Sequence, residues 1–161
     1  MRTKVLLIEG EAQIGEQLCK RLERQDHDVR WSRDGQNAIR NADLRQADLL
    51  LIDLDVPPAE ILEILSRIAA LNPLLPVVGL TERTDLPAAA SGTGLSAVVE
   101  KPIDPSGLLR LIEELLTQVP KEGGGLRVVP RKGSDLQNDP LGRTSERNLC
   151  PAAYSGWGIN E

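Results

Sequence analysis

Four side chains able to handle a phosphoryl group stand at the ends of four apolar runs. Lys4-Val5-Leu6-Leu7-Ile8 leads into Glu9, Leu49-Leu50-Leu51-Ile52 into Asp53, Pro76-Val77-Val78-Gly79-Leu80 into Thr81, and Ala97-Val98-Val99-Glu100 into Lys101. If these runs are parallel strands, their carboxyl ends share one edge, which is where open α/β sheets bind ligands. Two acids, a hydroxyl and a fixed cation gathered there would offer a nucleophile, a hydrogen-bond donor and a counter-charge.

The pattern around these residues supplies the strands. Apolar runs of strand length at 4–9, 48–53, 76–81 and 96–100 alternate with stretches of helical period. Residues 48–53 are apolar on both faces, as a central parallel strand requires. Val29 and Trp31 alternate with polar neighbours and read as an edge strand. Helices are expected on Ile14, Leu18 and Leu22, weakly on 36–43, on Ile61, Ile64, Leu65 and Ile68, and on Leu108, Leu111, Ile112, Leu115 and Val119. Between the last two, Pro87 and Gly92-Thr93-Gly94 leave room for only a short helix around 88–91. Five βα units imply a three-layer α/β sandwich with right-handed crossovers.

Composition bounds the rest. Apolar residues make up 40% of the 161, with no Phe and 2% aromatics, so the core is aliphatic. A net charge of −5 argues against nonspecific nucleic-acid or anionic-membrane binding. No run approaches the ~20 consecutive apolar residues of a membrane span, and no long apolar stretch follows the first charges. The expected compartment is therefore the cytoplasm, and Cys19 and Cys150, at no metal or redox spacing, read as reduced thiols. His27 lacks a second histidine for a metal pair or triad, and no phosphate-binding glycine motif is present. Periodicity stops at Pro120. Residues 1–119 form the expected domain, and 120–161, with Gly123-Gly124-Gly125 and few aliphatics, read as a flexible tail whose only sticky points are Leu126-Arg127-Val128-Val129 and 154–157.

The combination of Asp53 with Pro57, Thr81 closing the fourth strand, and the Lys101-Pro102 dipeptide after the fifth resembles the receiver domain of two-component response regulators over residues 3–119. The resemblance implies a flavodoxin-like, doubly wound five-stranded parallel sheet of order 2-1-3-4-5. It further implies a signalling phosphoacceptor rather than an enzyme. A histidine kinase or histidine phosphotransfer protein would pass a phosphoryl group to Asp53, with Mg²⁺ held by Glu9, Asp53 and the backbone carbonyl at Asp55. Thr81 and Lys101 would contact the phosphoryl oxygens, Pro102 would be cis, and a downstream protein target would read the face of the fourth helix, fifth strand and fifth helix.

The sequence also departs from that family. A second acid usually follows the first strand's acid, and here Gly10 stands there, with Glu11 next. Val98 replaces the aromatic three residues before the lysine, and Glu60-Ile61 replaces an acid and a glycine. The alternative is a pseudo-receiver, a protein-interaction module independent of phosphorylation. A hydrolase or phosphatase using Asp53 and Asp55 is disfavoured, because nothing supplies a capping domain or a second acid in the right role.

Overall fold

The computed structural model describes residues 2–33, 40–83, 94–118 and 126–133. Six parallel strands form one sheet of order β2-β1-β3-β4-β5-β6: β1 (Lys4–Ile8), β2 (Asp28–Ser32), β3 (Leu49–Asp53), β4 (Val77–Thr81), β5 (Ala97–Glu100) and β6 (Arg127–Val129). The first five take the expected order, and the α/β class stands. The count of five does not, because β6 pairs with β5 in the register Val98↔Val128. Its source is the stretch first read as a sticky point of the tail. Leu126 and Val128 alternate with Arg127, which lets one face of a three-residue strand bury both aliphatics while the guanidinium stays outside.

Helices α1 (Ala12–Arg24), α2 (Asn41–Gln46), α3 (Pro58–Leu71) and α4 (Pro105–Thr117) cover the two faces. The short helix expected near 88–91 lies outside the described residues, as do 36–39 of the weak one. That weak helix begins later than expected, at Asn41, where the Asp43 carboxylate accepts the Arg40 N–H at 3.3 Å and Leu44 is buried. Prolines at the first helical position start α3 and α4, where the missing N–H has no partner to lose, and Asp104 caps α4 by accepting the Ser106 N–H.

Alternation along the strands feeds two aliphatic cores. Leu6, Ile8, Leu50, Ile52 and Val98 meet α2 and α3 on one face. Val5, Leu7, Leu49, Leu51, Leu80 and Val99 meet α1 and α4 on the other. Every residue of β3 is buried, and each fully buried aliphatic contributes ~1.5–3 kcal/mol relative to exposure. Tying the two helices of the first face together, Asn72 donates from its amide to the Leu44 and Ala47 carbonyls at 3.0 and 3.3 Å.

Candidate functional site: a buried ammonium among three carboxylates

The parallel ladder brings four strand ends to one edge. Asp53 and Thr81 are the last residues of β3 and β4, while Glu9 and Lys101 each follow the last residue of their strands. Lys101 Nζ lies 3.0 Å from Glu9 Oε2, 3.2 Å from Asp53 Oδ1 and 3.5 Å from Asp55 Oδ2. Thr81 donates its hydroxyl to Asp55 Oδ1 at 2.7 Å, and Asp55 in turn donates its N–H to Asp53 Oδ1 at 2.9 Å. All five residues named from the sequence therefore converge. Glu9 and Thr81 are 0% exposed, Lys101 5% and Asp53 7%, while Asp55 is exposed at the mouth of the cluster.

Within the cluster the two oxygens of Asp53 differ. Both contacts go to Oδ1, and among the described residues no hydrogen bond or ion pair engages Oδ2. Asp55 plays a part the sequence did not reveal. Its carboxylate clamps the loop after β4, taking the Thr81 hydroxyl on one oxygen and the Glu82 N–H on the other at 2.9 Å. The Lys101 N–H meets the Thr81 carbonyl at 2.7 Å, so the loops after β4 and β5 are joined, and the Lys101–Pro102 bond is cis.

Burial sets the electrostatics. It pushes the Glu9 carboxyl up from 4.5 to about 7; the Glu11 N–H on Oε1 and the Lys101 ammonium pull the other way and only partly offset it. Burial also pulls Lys101 down, but the Glu9 and Asp53 carboxylates outweigh it and hold the ammonium above its usual range. Glu9 Oε2 has the Lys101 ammonium, 3.0 Å away, as its partner among the described residues.

Hard oxygen donors of the type Mg²⁺ prefers are present in Glu9, Asp53 and the Asp55 carbonyl, with Glu9 Oε2 paired to the Lys101 ammonium. Their arrangement is two-carboxylate at best. Among the described residues no group of three or more acid, histidine or cysteine side chains is placed to hold a metal. Glu11 adds nothing there: it is the exposed residue opening α1, with its N–H turned to Glu9. At Gly10 a Cβ would meet nothing closer than the Arg33 carbonyl at 3.9 Å, so an acid could be accommodated.

Two further supports were invisible in the sequence. Trp31 donates its indole N–H to the Glu9 carbonyl at 3.0 Å, and Arg33 grips the Gly10 carbonyl through Nε and Nη2 at 3.1 and 3.0 Å. Both come from β2 or just after it, a strand marked only by its alternation. His27 lies away from the cluster, donating its N–H to the Leu22 carbonyl before β2. Val98 is fully buried in the core face shared with α2 and α3.

Known proteins share this frame. The description "response regulator receiver domain" fits residues 5–113. The transcriptional regulatory protein PdtaR of Mycobacterium tuberculosis is 33% identical over 113 residues, covering 68% of this chain and 55% of that protein. The response regulator ArlR of Staphylococcus saprophyticus is 30% identical over 122 residues, covering 74% and 55%. The chain spans about half the length of the curated relatives it matches. Among solved structures, the chemotaxis response regulator CheY4 of Vibrio cholerae matches with a TM-score of 0.63 over 72% of this chain and all of that one, at 22% identity. The signal receiver domain of an HD domain-containing protein of Pseudomonas fluorescens gives 0.61 over 71% and 87%, at 25% identity. With the family's pattern spanning more than half of the chain and the acid, hydroxyl and lysine gathered at one sheet edge, the chain belongs to the response regulator receiver domain family.

Proposed function

We propose that the chain is a phosphoacceptor module of a two-component phosphorelay, in which Asp53 takes a phosphoryl group from a phosphohistidine on a kinase or phosphotransfer protein. The observation that carries this is the asymmetry of Asp53: Lys101 and the Asp55 amide hold Oδ1, and Oδ2 is left to attack. In the transfer the new bond joins Oδ2 to phosphorus, the phosphorus–nitrogen bond of the donor breaks, and the departing imidazole keeps the electron pair. Little covalent work falls to the protein, so its contribution is alignment and charge neutralisation. Lys101, already fixed by three carboxylates, turns its ammonium to a phosphoryl oxygen, and the Thr81 hydroxyl, released from Asp55, donates to another. Mg²⁺, held by Glu9, Asp53 and the Asp55 carbonyl, would neutralise charge on the transferring group.

Incubation with Mg²⁺ and acetyl phosphate should add one phosphoryl mass to the intact protein, and Asp53→Asn should abolish it. An equal gain in the Asn variant would remove Asp53 from its role.

A second reading, a phosphorylation-independent interaction module, is favoured by one specific observation. Gly10 stands where a second acid would sit beside Glu9 and Asp53, and Lys101 lies 3.0–3.5 Å from Glu9, Asp53 and Asp55 as their counter-charge. On that reading a Mg²⁺ titration shows no binding, and affinity for a protein partner is the same with and without beryllofluoride. The excess of 19 acidic over 13 basic residues in 1–119 makes that partner a protein rather than nucleic acid. A role in transcription, as in the names of the relatives, would then run through it.

A further inference from the structure

Beyond residue 113, where the family pattern ends, the chain returns to the sheet. Strand β6 is only three residues long, yet Leu126 and Val128 are each 5% exposed. Along its other face Arg127 reaches back to α4, pairing with Glu114 at 2.9 Å. Helix α4 approaches the strand closely at Gly107, where an added methyl group would stand 3.1 Å from Val129, and a cleft of about 400 Å³ lined by Arg110, Arg127 and Pro130 among others opens beside that contact. A short strand at a sheet edge belongs to the elements that open locally before the core does.

Residues just past β6 tie this edge to the acidic site. Arg131 donates from Nη2 to the Glu82 carbonyl at 3.2 Å and stands 3.5 Å from the Glu100 carboxylate, and the Lys132 N–H donates to the Pro102 carbonyl at 2.8 Å. Glu82 follows Thr81, and Pro102 follows Lys101. The amide of Glu82 is held by Asp55, whose own amide is held by Asp53. One residue therefore has its N–H gripped by the site and its C=O gripped by the strap.

We infer that residues 126–132 form a strap coupled to the acidic site, with Arg131 as a positioning residue for the loops that carry Thr81 and Lys101. Loosening the Asp55 clamp frees Glu82 and weakens the seat of β6; unseating β6 frees the two loops in return, since coupling between two sites is reciprocal. A phosphoryl group on Asp53 would draw the Thr81 hydroxyl away from Asp55 and so release the strap, uncovering the β5 edge. This last step rests on the phosphoacceptor reading; the coupling itself does not.

Amide hydrogen exchange on the full chain tests it, read as the rate at Arg127 and Lys132 divided by the rate at Leu50 in the central strand. Asp55→Ala should raise that ratio about tenfold, and Arg131→Ala should quicken the Glu82 amide by a similar factor. An unchanged ratio in Asp55→Ala overturns the strap. That includes a general loss of stability, which moves all of these amides together. Beryllofluoride with Mg²⁺ then tests the last step. A fluorine resonance bound at Asp53 with an unaltered ratio would overturn release, whereas failure of the fluoride to bind would count against the phosphoacceptor reading and leave the coupling decided by Asp55→Ala.

Discussion

The middle of the sheet and its carboxyl edge are buried to the same degree and built from opposite materials. Leu49, Leu50, Leu51 and Ile52 are at most 1% exposed, and so are Glu9 and Thr81, with Lys101 and Asp53 only slightly more open. Burial of the aliphatic side chains is favourable in itself. Burial of the edge is unfavourable until each charge finds a partner, and breaking one partnership leaves an uncompensated charge behind. Equal burial thus marks stability in one place and stored electrostatic tension in the other, and the two meet at the peptide bond between Ile52 and Asp53.

Changing the middle should give the largest effect and the least specific one. Leu50→Ala removes a fully buried side chain from the face shared with α2 and α3 and should destabilise the fold by ~3 kcal/mol. In urea the midpoint should fall with the slope unchanged, while the folded variant still takes up phosphate at Asp53. Loss of uptake in fully folded protein would mean that the core and the edge are not separable.

A smaller and pH-dependent effect belongs to Glu9. Its carboxyl titrates at about 7 in the folded chain against 4.5 as an ordinary value, so between those limits the folded state binds more protons than the unfolded one. Stability should therefore fall as pH rises from 4.5 to 7 and level off above; Lys101 stays charged throughout that window and contributes no slope. Glu9→Gln, which mimics the protonated form, should flatten the profile and exceed the parent protein at pH 8 by ~1–2 kcal/mol. A profile of undiminished slope in the variant would place the titrating group elsewhere.

The smallest expected change sharpens the contrast by adding charge to the edge. Gly10→Asp has room and should tighten Mg²⁺ binding on the order of tenfold, because it supplies a hard anionic oxygen beside Glu9 and Asp53. Without metal the same variant should lose ~0.5–1 kcal/mol from like-charge crowding. Identical Mg²⁺ affinity in both proteins would show that the edge does not take the ion.

How far the sequence could be read divides along the same line. The apolar runs ending in Asp53, Thr81 and Lys101 announced strands and strand ends together, because a parallel strand buried on both faces has no polar residue until it leaves the sheet. The βα alternation gave the parallel layers, while the order of the first five strands came only with the family resemblance. Other features depended on contacts between residues distant in the chain and had no local mark. Asp55 looked like a source of a metal-binding carbonyl, yet its carboxylate binds a hydroxyl and an amide from the β4 loop. Arg33 on the Gly10 carbonyl and Trp31 on the Glu9 carbonyl are bonds to backbone, to which side-chain patterns are blind. Strand β6 was hidden by its surroundings: the alternation of Leu126 and Val128 was visible, but three residues behind a run of glycines fall below the length at which period two is persuasive.

One close approach in the fold makes a gauge of the site. At Gly15, a methyl group would stand 2.2 Å from the ring carbons of Trp31, so α1 lies against the indole with no side chain between them. The indole is wedged between that helix and the loop after β1, its N–H on the carbonyl of the residue that faces Lys101. Its surroundings are thus set on one side by the close-packed Gly15 turn of a helix and on the other by the loop that carries Glu9. In a chain whose other tryptophan, Trp157, is replaced by phenylalanine, the colour and yield of the remaining emission become an optical readout of the Glu9 loop, requiring no label and reporting in the time of a mixing experiment.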